Sequence, residues 1–213
     1  MLRIGVTQRV EVVPDRDERR DCLDQAWTPL LAENGCWPIP IPNRVETVSA
    51  MLTDLALDGI VLTGGNDLAH LPGGQTAAPE RDALEARLLE ACSGAGVPVL
   101  GVCRGLQMLV HYHGGELVPV ANHVATRHRL VVCPGADIPL TDREAVNSFH
   151  AFGCYEDNLG PELRVIATAA DGTVEAVAHR TLPQWGVMWH PERDPRDRGD
   201  AALLRALFSG SRV

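Results

Sequence analysis

VPVLGVCRGLQMLVHYHGG, residues 97–115, changes its periodicity at a single cysteine. Before Cys103 the residues form a short apolar run of the kind carried by a fully buried strand. From Gly105 onward the pattern is helical. Cys103 lies between Gly101 and Gly105, which is the spacing of a nucleophile elbow, a sharp strand-to-helix turn that holds a reactive side chain above a sheet edge. Glycine suits both flanks because a side chain there would collide with the adjoining strand and helix. A thiol at a helix N-terminus also feels the positive end of the helix dipole, which favours the thiolate. A cysteine that only fills space needs none of this.

Outward from the elbow, strand and helix signals alternate. On the N-terminal side, RIGVTQRV reads as a buried strand. In ERRDCLDQAWTPLLAENG, Cys22, Leu23, Ala26, Trp27, Leu30 and Leu31 recur at helical spacing, with Asn34-Gly35 as the stop signal. CWPIPIPN is too proline-rich for a central strand and suits an edge or short parallel segment. Val45, Val48, Met51, Leu52 and Leu55 form a second helix face. DGIVLTGG is a strand running into a glycine turn, and PERDALEARLLEACSGAG a third helix opened by Pro79. This alternation implies a parallel sheet covered on both faces, with its site at the carboxyl ends of the strands. On the C-terminal side, HRLVVC, LRVIATAADGTVEAVAH and QWGVMWH are strand-like runs joined by turn signals, which predicts some antiparallel pairing. A last helix is expected over about 200–208. No repeat, linker or composition shift divides the 213 residues, so one domain over 1–213 is expected.

Composition narrows the partners. A formal net charge of −9 disfavours a sequence-independent nucleic-acid binder, which needs a basic face. No apolar run approaches the roughly 18 residues of a membrane span, and MLRIGVTQRVEVV lacks the pattern of a signal peptide. The expectation is a cytoplasmic protein with a small-molecule substrate and neither nucleic-acid nor membrane partners. Its six cysteines include no CxxC pair, so neither a zinc site nor a redox dithiol is indicated. His111 and His113 point in opposite directions at a helix end, and His123 with His128 implies no third ligand. The expectation is therefore no metal and no cofactor.

A cysteine nucleophile needs a base, and the base needs an orienting group. His190 ends the apolar run WGVMWH, and Glu192 stands two residues on, so its carboxylate can hold one ring nitrogen while the other faces Cys103. The Cys, His, Glu order differs from the order of α/β-hydrolases and argues against an esterase. Oxyanion donors are expected from the amide of Gly65, in the turn LTGGND, and that of Arg104, directly after the nucleophile.

Together, GVCRGLQ, the TGG turn, VNSFH (146–150) and MWHPE (188–192) resemble the class I glutamine amidotransferase superfamily, in its order and spacing over nearly the whole chain. The resemblance implies a flavodoxin-like three-layer α/β sandwich with a mostly parallel central sheet. It also implies a triad of Cys103, His190 and Glu192 that cleaves a γ-glutamyl amide through a glutamyl thioester. By position, Gln107 touches the glutamyl group, and the segment from His150 holds its α-amino and α-carboxylate groups, with main-chain contacts near Ala151 and Phe152. Many members carry glutamine where this chain has Phe152.

Two branches of the superfamily remain open. Free-standing hydrolases of the γ-glutamyl-γ-aminobutyrate hydrolase type cleave γ-glutamyl amines in solution, and Arg104 after the cysteine, together with Arg81-Asp82-x-x-Glu85, looks like that branch. The alternative is a glutaminase subunit delivering ammonia to a separate synthetase partner. A homodimer is compatible with either. A third reading, a non-catalytic binding protein of the same fold, is disfavoured because all three triad positions are filled. For the leaving group, Gln8 and Arg9 at the end of the first strand, with Arg16, Arg19 and Arg20 nearby, are candidates to contact an anion. A narrower likeness, in the GVTQR start and the GGNDL turn, is to γ-glutamyl-CDP-amidate hydrolases. Equally open is that these arginines pair with Asp15, Asp17, Glu18 and Asp21 on a solvated helix start.

Overall fold

The computed structural model describes residues 1–44, 46–73, 76–141, 143–194 and 197–209. The described residues form thirteen strands: β1 (Leu2–Thr7), β2 (Arg9–Val13), β3 (Glu18–Cys22), β4 (Cys36–Ile41), β5 (Gly59–Leu62), β6 (Val99–Val102), β7 (Val118–Pro119), β8 (Thr126–Val132), β9 (Arg143–Ser148), β10 (Phe152–Gly153), β11 (Leu163–Thr168), β12 (Val174–His179) and β13 (Gln184–Val187). The helices are α1 (Trp27–Glu33), α2 (Val48–Asp54), α3 (Pro79–Ala95), α4 (Arg104–Tyr112) and α5 (Arg198–Ser209).

Nine strands form one sheet in the order β4-β1-β5-β6-β13-β12-β11-β8-β9. The five from β4 to β13 are parallel to their neighbours, and the last four continue the sheet in antiparallel pairs. The proline-rich segment CWPIPI is the edge strand β4, as its composition predicts. Along the central strands successive side chains enter opposite layers. Val61, Leu100 and Val102 meet Trp27, Leu31, Leu204 and Phe208 from α1 and α5. Ile60, Leu62 and Val99 meet Leu84, Leu88, Leu106 and Leu109 from α3 and α4. A continuously apolar strand is what burial on both faces requires, and the result is the expected three-layer sandwich.

The N-terminal reading is corrected in one place. RIGVTQRV is two strands broken at Gln8, and Glu18–Cys22 is not helical: it pairs antiparallel with Arg9–Val13 as a hairpin lying off the main sheet. Helix α1 starts only at Trp27, after Asp24 accepts a bond from the Ala26 amide at 2.9 Å. Asp17, left-handed at φ 51°, closes the hairpin. The helical spacing of Cys22, Leu23 and Ala26 was a coincidence that strand pairing overrides. Val45, expected on the face of α2, lies outside the described residues. QWGVMWH leaves the sheet after Val187, so Trp189 is not a strand residue: it is buried, and its indole N–H donates to Asp200 Oδ1 at 2.9 Å.

The elbow explains why residues 101 and 105 lack side chains. A methyl group at Gly101 would lie 2.5 Å from the Gly105 carbonyl oxygen, and one at Gly105 would lie 2.1 Å from that of Leu62. The backbones of β5, β6 and α4 touch directly there. Gly105→Ala is expected to lower stability by about 1–3 kcal/mol through overpacking, read as a fall in the urea midpoint. Gly94→Ala, on the exposed side of α3 with open space around it, is expected to raise the midpoint by about 0.5 kcal/mol. A neutral Gly105→Ala would show that the close approach is wrong.

Candidate active site

Cys103 follows β6 and caps α4 with φ 52° and ψ −105°, a strained backbone for a residue with a side chain. Its amide is tied to the Val187 carbonyl at 2.8 Å. Val187 ends β13, and three residues later His190 opens a short 3-10 turn over Pro191–Arg193. The imidazole lies against Cys103, packed so closely over the TGG turn that a methyl at Gly64 would come within 2.7 Å of its Cε1. His190 Nδ1 meets Glu192 Oε1 at 2.6 Å, which leaves Nε2 for the thiol side. The three expected residues are therefore brought together. Burial pulls the His190 pKa down, but its contacts with Cys103 and Glu192 outweigh that and raise it to about 9.

A cleft of about 160 Å³ opens beside Cys103, and Gly65, Arg104, Gln107, His150, Ala151 and Phe152 all line it. A surface hollow of about 790 Å³ between α2 and α3 holds none of these groups. Gln107 and His150 do not reach freely into the cleft. Gln107 Nε2 donates to the Phe152 carbonyl at 2.9 Å, and His150 Nδ1 reaches the same oxygen at 3.0 Å. Both side chains shape the main chain at 151–152. Arg9 lies over Gly65 at the mouth, its Cδ 3.2 Å from where a Gly65 Cβ would stand. Gln8 points elsewhere: its amide donates to the Ile41 carbonyl at 3.0 Å, and it does not line the cleft beside Cys103. Of the basic cluster, Arg19 pairs with Glu80 and Arg20 with Glu18, on a strand and not on a helix start.

Several residues hold the site in ways that the sequence reading did not assign. Asn147 clamps the backbone of His190 from β9, its Nδ2 donating to the His190 carbonyl and its Oδ1 accepting from the His190 amide, each at 2.9 Å. Arg81, wholly buried, donates to the carbonyls of Thr63 at 2.6 Å, Gly64 at 3.1 Å and Gly65 at 2.6 Å. It also bonds Glu85 at 2.9 Å. The Arg104 side chain pairs with Glu85 and Asp82, so a residue that lines the cleft is also anchored behind it. Arg193 stacks 4.4 Å over Phe149, whose ring lies nearly perpendicular to that of His190.

Among the described residues, two polar clusters could hold a metal ion. In one, His113 is hydrogen-bonded to Glu162 and to Gln184, and His179 Nε2 stands 3.8 Å from the same Glu162 oxygen. His123, His128, His150 and Glu175 form the other. The third partner that the pair His123 and His128 lacks in sequence is supplied from β12 and from the cleft wall.

Residues 3–192 match the peptidase C26 family. The chain belongs to this family. It is similar to a γ-glutamyl-CDP-amidate hydrolase of Campylobacter jejuni, 30% identical over 97% of this chain and 97% of the relative. It is also similar to a γ-glutamyl-γ-aminobutyrate hydrolase of Escherichia coli O157:H7, 34% identical over 88% and 84%. A glutamine amidotransferase from Thermotoga maritima shares the fold, with a TM-score of 0.70 at 16% identity over 97% of this chain and 98% of that one. Membership of the free-standing γ-glutamyl hydrolase branch of the class I glutamine amidotransferase-like proteins follows, and with it assignment as a hydrolase. Among the described residues no helix is long and apolar enough to cross a membrane.

The raised His190 value has a direct consequence. Because its folded value lies above the ordinary 6.5, the contact stabilises the fold fully below that pH and fades as pH rises through about 9. NMR titration of labelled imidazoles should place His190 near pH 9 and move it downward in both Glu192→Gln and Cys103→Ala. An unshifted midpoint in either variant would remove that contact as a cause.

Proposed function

We propose that this chain hydrolyses a γ-glutamyl amide through a glutamyl thioester. The observation that carries the reading is the alignment of Cys103, His190 and Glu192 beside a cleft walled by the backbone of 150–152. Cys103 Sγ attacks the γ-carbonyl carbon, and the developing oxyanion takes hydrogen bonds from the amides of Gly65 and Arg104, each such donor being worth roughly 3 kcal/mol. The tetrahedral intermediate collapses as His190 Nε2 gives its proton to the departing nitrogen. That breaks the C–N bond and leaves the glutamyl group on sulfur. Water then loses a proton to His190 Nε2 and attacks the thioester; the C–S bond breaks, glutamate leaves, and that proton passes to sulfur to restore the thiol. No cofactor takes part in these steps.

The leaving amine departs through the mouth bordered by Arg9 and Arg193. Two arginines there favour a leaving group bearing a phosphate or carboxylate, and the full-length similarity to the amidate hydrolase supports a nucleotide amidate among the candidates. The six unpaired cysteines support a cytoplasmic setting.

Purified protein incubated with γ-glutamyl amines, a γ-glutamyl nucleotide amidate and glutamine should release glutamate from one of the first two without any added protein. Cys103→Ala should lose about 10⁴-fold or more in rate while folding normally. Turnover of glutamine alone, and only with a synthetase present, would reverse the choice of branch. Arg9→Ala and Arg193→Ala should raise KM for an anionic leaving group several-fold more than for a neutral one. Equal effects would remove the anion.

A further inference from the structure

Behind the wall of the cleft, Glu175 on β12 is wholly buried, and neither of its carboxylate oxygens has a hydrogen-bond partner among the described residues. Three histidines surround its Oε1: His123 Nδ1 at 3.4 Å, His128 Nε2 at 3.5 Å and His150 Nε2 at 3.5 Å. The Nε2 atoms of His128 and His150 are likewise buried and unpartnered.

The second nitrogen of each ring is already engaged. His123 Nε2 donates to Asp171 Oδ2 at 3.0 Å, His128 Nδ1 to the Arg129 carbonyl at 3.2 Å and His150 Nδ1 to the Phe152 carbonyl at 3.0 Å. A neutral imidazole has one N–H. With that proton spent outward, the nitrogen facing Glu175 offers only a lone pair. Ser148 cannot supply the missing proton, because its hydroxyl donates to the His123 carbonyl at 2.8 Å. Three lone pairs and a carboxylate therefore face one another away from water, which is unfavourable unless a cation lies among them.

The spacing says which kind of cation. Four ligands around a tetrahedral ion, with bonds of about 2.1 Å to nitrogen and oxygen, stand roughly 3.4 Å apart, the edge of that tetrahedron. The three distances from Glu175 are 3.4–3.5 Å, and no two ligand atoms of the set are more than 4.8 Å apart. Protons alone account for the geometry less well, since imidazolium–carboxylate contacts close to about 2.7–2.9 Å. A carboxylate and two backbone carbonyls holding the outer nitrogens are the partners that orient metal-bound histidines.

We propose that His123, His128, His150 and Glu175 form a closed tetrahedral site for a divalent transition metal ion, zinc before others because three imidazoles and one carboxylate suit it. With four protein ligands the site has no open position and is structural. It fixes His150, which with Gln107 holds the Phe152 carbonyl in the cleft wall. It does not depend on the reaction proposed above.

Wild type and Cys103→Ala, stripped with a chelator and reloaded with zinc, should each hold one ion per chain by elemental analysis. Cobalt in its place should give the intense visible bands of four-coordinate geometry without a thiolate charge-transfer band. His128→Ala and Glu175→Gln should lose the tightly held ion, and Asp171→Asn should bind it about 10–100-fold more weakly. The His128 side chain is partly exposed, so this variant is expected to fold by circular dichroism even if Glu175→Gln does not. Folded wild type that holds no zinc at micromolar concentrations would overturn the proposal. So would zinc retained unchanged by folded His128→Ala, or a thiolate–cobalt band abolished by Cys103→Ala.

Discussion

The carboxylate of Glu85, buried in α3, ties together β1, α3 and α4 beside the elbow. It accepts from Thr7 Oγ1 at the end of β1 at 2.8 Å and from Arg81 at 2.9 Å, and it pairs with Arg104 at the start of α4. Two guanidinium groups and one carboxylate in a dry layer would be costly if any were left alone. Burial and the nearby Arg104 lower the Arg81 value to about 10, against the pull of Glu85. Burial pushes the Glu85 carboxyl up, and the two arginines more than reverse it. Breaking such a pair from one side typically costs about 3–5 kcal/mol because the remaining charge is stranded. Here the loss would also release the carbonyls of 63–65 that Arg81 holds, and with them the direction of the Gly65 amide.

That knot allows the strain at Cys103 to persist. A cysteine at φ 52° sits in a conformation costing of order 1–3 kcal/mol, which survives only where its surroundings over-determine it. The surroundings here are three backbones in contact at Gly101, Gly105 and Leu62, with the amide of Cys103 pinned to β13. The same strand delivers His190 three residues after Val187, so the nucleophile and its neighbour are set by one β-ladder pairing, Val102 beside Val187.

How much of this was legible in sequence depends on the range of the interaction. The parallel core, the elbow and the Cys103, His190 and Glu192 set are visible because they rest on local signals: apolar runs, glycines at fixed offsets and a carboxylate two residues from a histidine. The hairpin over 9–22 was not, because its residues alternate weakly and strand pairing with a segment on the far side of a turn decides it. The roles of Arg81 and Asn147 were hidden for a different reason. One is an arginine in a charged helix start and the other an asparagine at a strand end, and both usually face water. Only the tertiary fold turns them inward. Gln8 shows the converse: the sequence offers it to a leaving group, but an edge strand gives its amide a carbonyl that the sequence does not reveal.

The electrostatics of His190 bear on the order of events in the proposed reaction. Its value of about 9 rests on Cys103 as well as Glu192, so the imidazolium is held most firmly while the sulfur carries charge. Attack on a carbonyl carbon transfers that charge from sulfur to the oxyanion, and the imidazolium loses one of its two partners. Its proton becomes easier to give at the step where the departing nitrogen needs it. In the thioester the sulfur is neutral, burial then works against a charged ring, and a neutral imidazole steadied by Glu192 alone is the form that can take a proton from water. A single histidine thus serves first as acid and then as base, and the charge on its neighbour sets the direction each time.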